Sequence, residues 1–138
     1  LVLWDASSRQ QRTRQFGSNL KYGSFDNQAA VAWVPGTRQL AIVTSKQLWL
    51  TSTDSNTYVP LGHFPNFANS YLIAISPDGA YLAVNDEGIL SLWNVKQRKF
   101  ERTFFRGSLP SFIWALNWLN NSEIAIIDNS YNRVVLSR

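Results

Sequence analysis

One histidine and one pair of adjacent acids are the residues whose types could support acid–base or metal chemistry. His63 could act as a general base or as a metal ligand. The 138 residues contain no second histidine and no cysteine, so a metal at His63 would need carboxylates alone beside it. The alternative is a structural hydrogen bond inside the fold, and we favour this interpretation for a single histidine.

The acidic pair is Asp86-Glu87, within the turn-forming sequence Asn85-Asp86-Glu87-Gly88. Two carboxylates can do acid–base work when their surroundings separate their pKa values. Adjacent strand residues point to opposite faces, however, and turn acids usually bond nearby backbone N–H groups. The chain also lacks a Gly-x-Ser-x-Gly nucleophile motif and a phosphate-binding glycine loop. We therefore predict no catalytic residue, no cofactor and no metal.

Composition favours one domain with an ample core, since 45% of the residues are hydrophobic and 14% are aromatic. No apolar run is long enough to span a bilayer, and we predict no membrane contact. The absence of cysteine excludes disulfides and is typical of a reducing compartment, so we expect an intracellular protein, cytoplasmic or nuclear. The chain begins at Leu1 and contains no Met, which suggests a segment of a longer protein or a processed piece.

Short strands must position any site in this chain. Residues 72–75, 81–84 and 89–95 are apolar runs, and Pro/Gly or Asn/Gly turns separate them. In the third run, Trp93 and Val95 point to one face while Leu90 and Leu92 point to the other. A sheet with one face in water would alternate between apolar and polar residues. We therefore expect another layer to pack on each side of this sheet.

The same pattern repeats along the chain. A second copy occupies residues 30–50 and a third occupies residues 113–136, while residues 1–5 look like the end of a fourth. Trp4, Trp49, Trp93 and Val135 are 45, 44 and 42 residues apart. A period near 40–45 residues with several short strands per unit is typical of a β-propeller. We predict an all-β fold, a β-propeller segment of about three four-stranded antiparallel blades.

The central repeat resembles a WD (Trp–Asp) repeat. The motifs that carry the resemblance are Gly62-His63, Ser76-Pro77-Asp78-Gly79, Leu92-Trp93-Asn94 and the naming dipeptide Trp4-Asp5. Blades of that family have strands a, b, c and d, and a hydrogen-bonded His–Ser/Thr–Asp–Trp set ties each blade together. The resemblance assigns His63 and Trp93 to this set, whereas the Ser/Thr position falls on Ala83 and the Asp position on Glu87. The set is therefore incomplete.

The flanking repeats resemble the family less. The first full repeat keeps Trp49 without a preceding Gly-His pair, and the third has Val135 in place of the tryptophan. We divide the single domain, 1–138, into the end of a blade plus a loop (1–29), two blades (30–61 and 71–105) and a blade lacking its outer strand (112–138). Three blades cannot close a ring, so the domain needs further blades from its own longer chain or from another copy.

The positive charges follow the predicted outer strands, which we place at 12–16, 57–61 and 100–105. The net charge is +4, and the clustered residues are Arg9, Arg12 and Arg14, then Lys96, Arg98, Lys99, Arg102 and Arg106. These side chains could form a basic rim for nucleic acid or an acidic partner. They could also protect exposed strand edges from stray pairing, which we favour because both clusters fall on outer strands.

The loops that connect strand d of one blade to strand a of the next, here called d–a loops, are predicted at 17–28, 62–70 and 106–111. They leave one face of a propeller together with the b–c turns. Aromatic residues and arginine are enriched at binding hot spots. We predict a partner-binding face from the large and basic residues there: Lys21, Tyr22, Phe25, Phe64, Phe67, Phe105, Arg106 and Leu109. The alternative is that the aromatic side chains cap the core.

The opposite face would carry the a–b turns, which are short and polar and suit a solvated surface. We further expect Trp93 and Trp49 to be largely buried and Trp118 to lie inside. The WD-repeat resemblance implies a non-catalytic scaffold that binds other proteins within a larger assembly. The alternative function is binding of nucleic acid or acidic surfaces through the basic rims, and steep salt dependence would distinguish it. An enzyme on a propeller would need convergent acids that this sequence does not offer.

Overall fold

The computed structural model describes residues 2–13, 30–44, 47–55, 57–63, 71–86, 88–104 and 113–138. All regular elements in this part of the chain are β-strands. An N-terminal hairpin consists of β1 (Val2–Asp5) and β2 (Gln10–Thr13). The first blade consists of β3 (Ala30–Trp33), β4 (Gln39–Thr44), β5 (Gln47–Ser52) and β6 (Tyr58–His63).

The remaining strands form two more sheets. The central blade consists of β7 (Tyr71–Ile75), β8 (Tyr81–Asp86), β9 (Ile89–Asn94) and β10 (Lys99–Thr103). The last blade consists of β11 (Ile113–Trp118), β12 (Glu123–Asp128) and β13 (Arg133–Ser137). Within every sheet the strands pair antiparallel in chain order. This architecture confirms the predicted all-β propeller segment.

The blades pack through their innermost strands, because β7 lies beside β3 on one side and beside β11 on the other. Tight turns connect the first two strands of each blade. Gly36 and Gly79 occupy equivalent turns with φ of 71° and 69°, a backbone region that side-chain-bearing residues rarely adopt. The turns predicted at Pro35-Gly36 and Pro77-Asp78-Gly79 are therefore present, and each depends on a glycine with positive φ.

Two apolar layers enclose the central blade. Leu82 and Trp93 face the first blade, whereas Ala83 and Leu92 face the last blade. The two-sided packing predicted from the sequence is thus confirmed, and Trp93 is only 5% exposed. Trp49 is partly buried, and less so than Leu48 and Leu50 on either side of it. Its neighbours Leu48 and Leu50 face the central blade, so alternation along β5 turns the indole to the opposite side.

Several predicted boundaries differ from the observed ones. The outer strand of the N-terminal hairpin is β2, which begins at Gln10 and not at residue 12, because the preceding turn closes at Arg9 with φ of 54°. Gly62 and His63 were predicted in a loop but form the end of β6, paired with Leu48 and Gln47. The motif therefore belongs to the outer strand of the first blade, where it reaches the central blade.

Candidate interaction surface

The residues predicted to form the partner-binding face lie outside the described residues. This applies to the whole set, which is Lys21, Tyr22, Phe25, Phe64, Phe67, Phe105, Arg106 and Leu109. Their role remains a prediction. The described b–c turns share the same end of the strands, because each strand reverses direction relative to its neighbour. The b–c turn of the last blade, residues 128–132, is therefore part of that face.

Asp128 organises this turn. Its Oδ1 accepts hydrogen bonds from the backbone N–H groups of Ser130 and Asn132, both at 2.8 Å, and its Oδ2 accepts one from the Asn132 side chain at 3.0 Å. Burial acts to raise the pKa of Asp128, but the hydrogen bonds from Asn132 and Ser130 outweigh it and lower the pKa below 3.8. The carboxylate thus stays ionised and fixes the turn.

The turn presents an exposed aromatic pair. Tyr131 has a positive φ of 61° and is 80% exposed, and Trp114 is 65% exposed. Their ring centroids are 6.3 Å apart, within the range of aromatic pairs. Trp114 follows the third predicted d–a loop and lies at a register shift between Ile113 and Ala115. The pair therefore combines the two kinds of segment that form the predicted binding face.

Sequence reasoning missed this pair. Trp114 was assigned to an apolar inner strand, where alternation alone would not reveal the register shift that turns it outward. A tyrosine inside the polar turn Asp128-Asn129-Ser130-Tyr131-Asn132 was a usable signal, because a turn of Asp, Asn and Ser has no local core to bury a phenol ring.

The opposite face fastens the blades together. The Ser76 hydroxyl and the Ala80 N–H donate to Asp78 Oδ1 at 2.6 and 3.0 Å, and they lower the pKa of Asp78. The Asp78 N–H donates to Asn121 Oδ1 of the last blade at 3.0 Å. Most residues of the a–b turns are exposed, although Gly79 is buried, and the bond between Asp78 and Asn121 links two blades across this surface.

The hydrogen bond of the Trp93 indole differs from the set that the WD-repeat resemblance implies. Trp93 Nε1–H donates to Ser91 Oγ at 3.1 Å, and the Ser91 hydroxyl donates to the carbonyl of Val84 at 3.3 Å. The hydroxyl partner is Ser91 on the same strand, whereas the Ser/Thr position implied by the resemblance falls on Ala83, which has no hydroxyl. The Glu87 position lies outside the described residues, and the preceding acid, Asp86, is buried.

The predicted basic clusters divide between turns and an edge strand. Lys96 and Arg98 lie in the turn between β9 and β10, while Lys99 and Arg102 lie on β10, the outer edge of the central blade. Arg9 lies in a turn and not on an outer strand. The side chain of Arg12 and residues Arg14 and Arg106 lie outside the described part.

Within the described ranges there is no group of three His, Cys, Asp or Glu side chains that could hold a metal ion. The same part of the chain contains no helix that is long and apolar enough to cross a membrane. The described part of the d–a face presents the exposed rings of Trp114 and Tyr131, and Tyr131 lies in the turn that Asp128 fixes by hydrogen bonds.

Comparison with known proteins addresses the fold. The chain matches no protein-family model and no curated protein. It is similar to the solved WD40 repeats of RRP9 at 15% identity, with a TM-score of 0.54 over 78% of this chain and 38% of that one. The structure of U3-55K gives 16% identity and the same TM-score and coverage. A chain of the mitotic checkpoint complex gives 14% identity and a TM-score of 0.56 over 90% of this chain and 41% of that one.

This chain therefore spans about two-fifths of the length of these structures. At such identities the similarity concerns the fold alone. It agrees with the stacked antiparallel sheets and with the repeat period, and the fold of this chain is that of a WD-repeat β-propeller.

Proposed function

We propose that this chain is part of a non-catalytic propeller that binds other proteins as a scaffold. The contact surface is the face that bears the d–a loops and the b–c turns. The observation that carries the proposal is the exposed pair of Trp114 and Tyr131 at that face. The WD-repeat fold supports it as the kind of fold from which interaction scaffolds are commonly built, although fold alone does not decide function.

The physical argument concerns the free energy of binding. A large aromatic ring that leaves water on complex formation contributes more than most other side chains, and hot spots are enriched in Trp and Tyr. The Asp128 hydrogen bonds hold the turn before any partner arrives. Little conformational entropy is then lost on binding, which favours affinity.

The predicted loop residues extend the same surface in this proposal. Partners would contact the rings of Tyr22, Phe25, Phe64, Phe67 and Phe105 together with Lys21, Arg106 and Leu109. The complete ring would take its further blades from the longer chain or from another copy, and an intracellular location agrees with the absence of cysteine.

The test replaces Tyr131 by asparagine. Asparagine tolerates a positive φ better than tyrosine, so Tyr131→Asn removes the ring without weakening the turn. The matched control is Arg98→Asn, because Arg98 has φ of 54° and is exposed in a c–d turn on the opposite face. Proteins retained by the immobilised wild type are identified, and the affinity of the strongest purified partner is measured for each variant.

We expect Tyr131→Asn to lower the affinity for that partner by about 30-fold, which corresponds to about 2 kcal/mol of binding free energy. Arg98→Asn should change the affinity by less than about threefold, or about 0.6 kcal/mol. A loss confined to Arg98→Asn would place the contact on the opposite face and contradict the proposal. Turnover of any substrate by the purified protein that is lost in His63→Ala would contradict the non-catalytic assignment.

A further inference from the structure

A groove runs between the central blade and the last blade at their outer rim. Its volume is about 310 Å³, and it is lined by Tyr81, Leu92, Glu101, Arg102 and Arg138. Pockets of this size fall at the small end of the range that holds bound ligands. The groove lies on the side of the propeller, away from the d–a face.

One arginine from each blade is held at this groove. The Arg138 guanidinium lies 4.2 Å from the ring centroid of Tyr81, and the Arg138 backbone N–H donates to the Ser122 carbonyl at 2.7 Å. The Arg102 guanidinium lies 4.7 Å from the ring centroid of Phe104 and donates to the Ser137 carbonyl at 3.3 Å. Stacking on rings restricts both guanidinium groups, so they are positioned before a ligand arrives.

Positive charge outnumbers negative charge in the lining of the groove, which contains two arginines and one glutamate. Glu101 already accepts a hydrogen bond from Asn94 at 3.2 Å and lies 3.6 Å from the Lys99 ammonium group. Among the described residues no Asp or Glu side chain lies within ion-pair distance of Arg102 or Arg138. The Ser76 and Ala80 hydrogen bonds lower the pKa of Asp78 and the charge of Arg138 adds to this, so the Asp78 carboxylate offsets part of the positive charge at Arg138.

We propose that this groove binds an acidic segment of a partner protein, with its carboxylates paired to Arg102 and Arg138. Guanidinium groups bind carboxylates through two parallel hydrogen bonds, which gives direction as well as attraction. The pairing joins a residue of the edge strand β10 to one that follows β13, so the site exists only in the packed structure.

The same contacts argue against single-stranded nucleic acid as the occupant. Such binding relies on aromatic faces on which bases stack. Here one face of Tyr81 and one face of Phe104 are covered by guanidinium groups of the same protein. The groove therefore offers charge pairing rather than a stacking platform.

The test uses a short fluorescent peptide of alternating Asp and Ala residues, with fluorescence anisotropy as the readout on the purified protein. The double variant Arg102→Gln/Arg138→Gln removes both guanidinium groups. The control Arg98→Gln/Arg133→Gln removes the same net charge from exposed arginines that do not line the groove. Circular dichroism and the Tm establish that both variants are folded.

We expect the groove variant to bind the peptide at least about tenfold more weakly at physiological salt, and the control to stay within about twofold. The double variant Arg102→Lys/Arg138→Lys keeps the charge but loses the paired hydrogen bonds, so its loss of peptide affinity should lie between those of the groove variant and the control. Equal losses in the groove variant and the control would show charge attraction alone and overturn the proposal. So would absent peptide binding, or tighter binding of a single-stranded oligonucleotide that depends on the same arginines. None of these outcomes bears on Tyr131.

Discussion

The contact between Gly62 and Trp93 gives the sharpest test of how the blades are packed. A Cβ atom at position 62 would lie 2.6 Å from Trp93 Cη2 and closer still to Cζ3. The ring cannot simply turn away, because its Nε1–H donates to Ser91 and its edge packs against Phe100 with ring centroids 5.4 Å apart. Gly62→Ala must therefore shift either the outer strand of the first blade or the indole.

The expected size follows from two opposing effects. Overpacking of a well-filled core costs about 1–3 kcal/mol. Alanine in place of glycine restricts the unfolded chain and stabilises by about 0.4–1 kcal/mol where the backbone permits it. We expect a net loss of about 1–2 kcal/mol in the free energy of unfolding and a Tm lower by roughly 4–8 °C.

The assay is a double-mutant cycle read by urea denaturation. Trp93→Phe removes the six-membered indole ring that carries Cζ3 and Cη2, so Gly62→Ala should cost less than about 0.5 kcal/mol in that background, a coupling of about 1 kcal/mol. A Gly62→Ala variant that is as stable as the wild type would refute the close contact. An equal cost in both backgrounds would show that the loss comes from the backbone and not from Trp93.

Two further predictions concern hydrogen bonds. Trp118→Phe removes the bond from Trp118 Nε1–H to the Ala74 carbonyl, 3.0 Å long, and should lower the free energy of unfolding by about 1–2 kcal/mol, whereas exposed Trp114→Phe should change it by less than about 0.5 kcal/mol. Equal effects of the two changes in urea denaturation would contradict this assignment. Because the folded pKa of Asp128 is lowered, its contribution is complete well above the pKa of an unfolded aspartate and is lost as pH falls from there through the folded pKa. The stability of the wild type should therefore decline below about pH 5, and Asp128→Asn should decline less steeply; parallel curves would contradict the role of Asp128.

The fold could be predicted from the sequence because local signals agree along the chain. Pro-Gly and Pro-Asp-Gly mark the turns at Gly36 and Gly79, and the unbroken apolar pattern around Trp93 indicated packing on both faces. These signals depend on the chemistry of neighbouring residues, which a sequence shows directly. Strand ends were less accurate, as at Gly62 and His63, because pairing with β5 extends β6 beyond the point where the local pattern stops.

The sites could not be predicted to the same extent, because they depend on geometry between distant residues. The family's Ser/Thr position falls on Ala83, which has no hydroxyl, and the structure shows that the indole of Trp93 bonds to Ser91 instead. Arg138 and Tyr81 are far apart in sequence, and only the packing of the last blade on the central blade brings the two side chains together. No sequence motif predicts the contact between Arg138 and Tyr81.

The turns at the two ends of the strands differ in where their polar groups form hydrogen bonds. In the a–b turns, the backbone N–H of Asp78 bonds to Asn121 of the neighbouring blade, so the polar groups there join sheets. In the b–c turn of the last blade, Asp128 bonds to Ser130 and Asn132 of its own turn. A turn that satisfies its own polar groups needs no neighbour for support. It can therefore hold the ring of Tyr131 in solvent, as the proposed binding of a partner requires, while the hydrogen bond between Asp78 and Asn121 joins two blades at the opposite end.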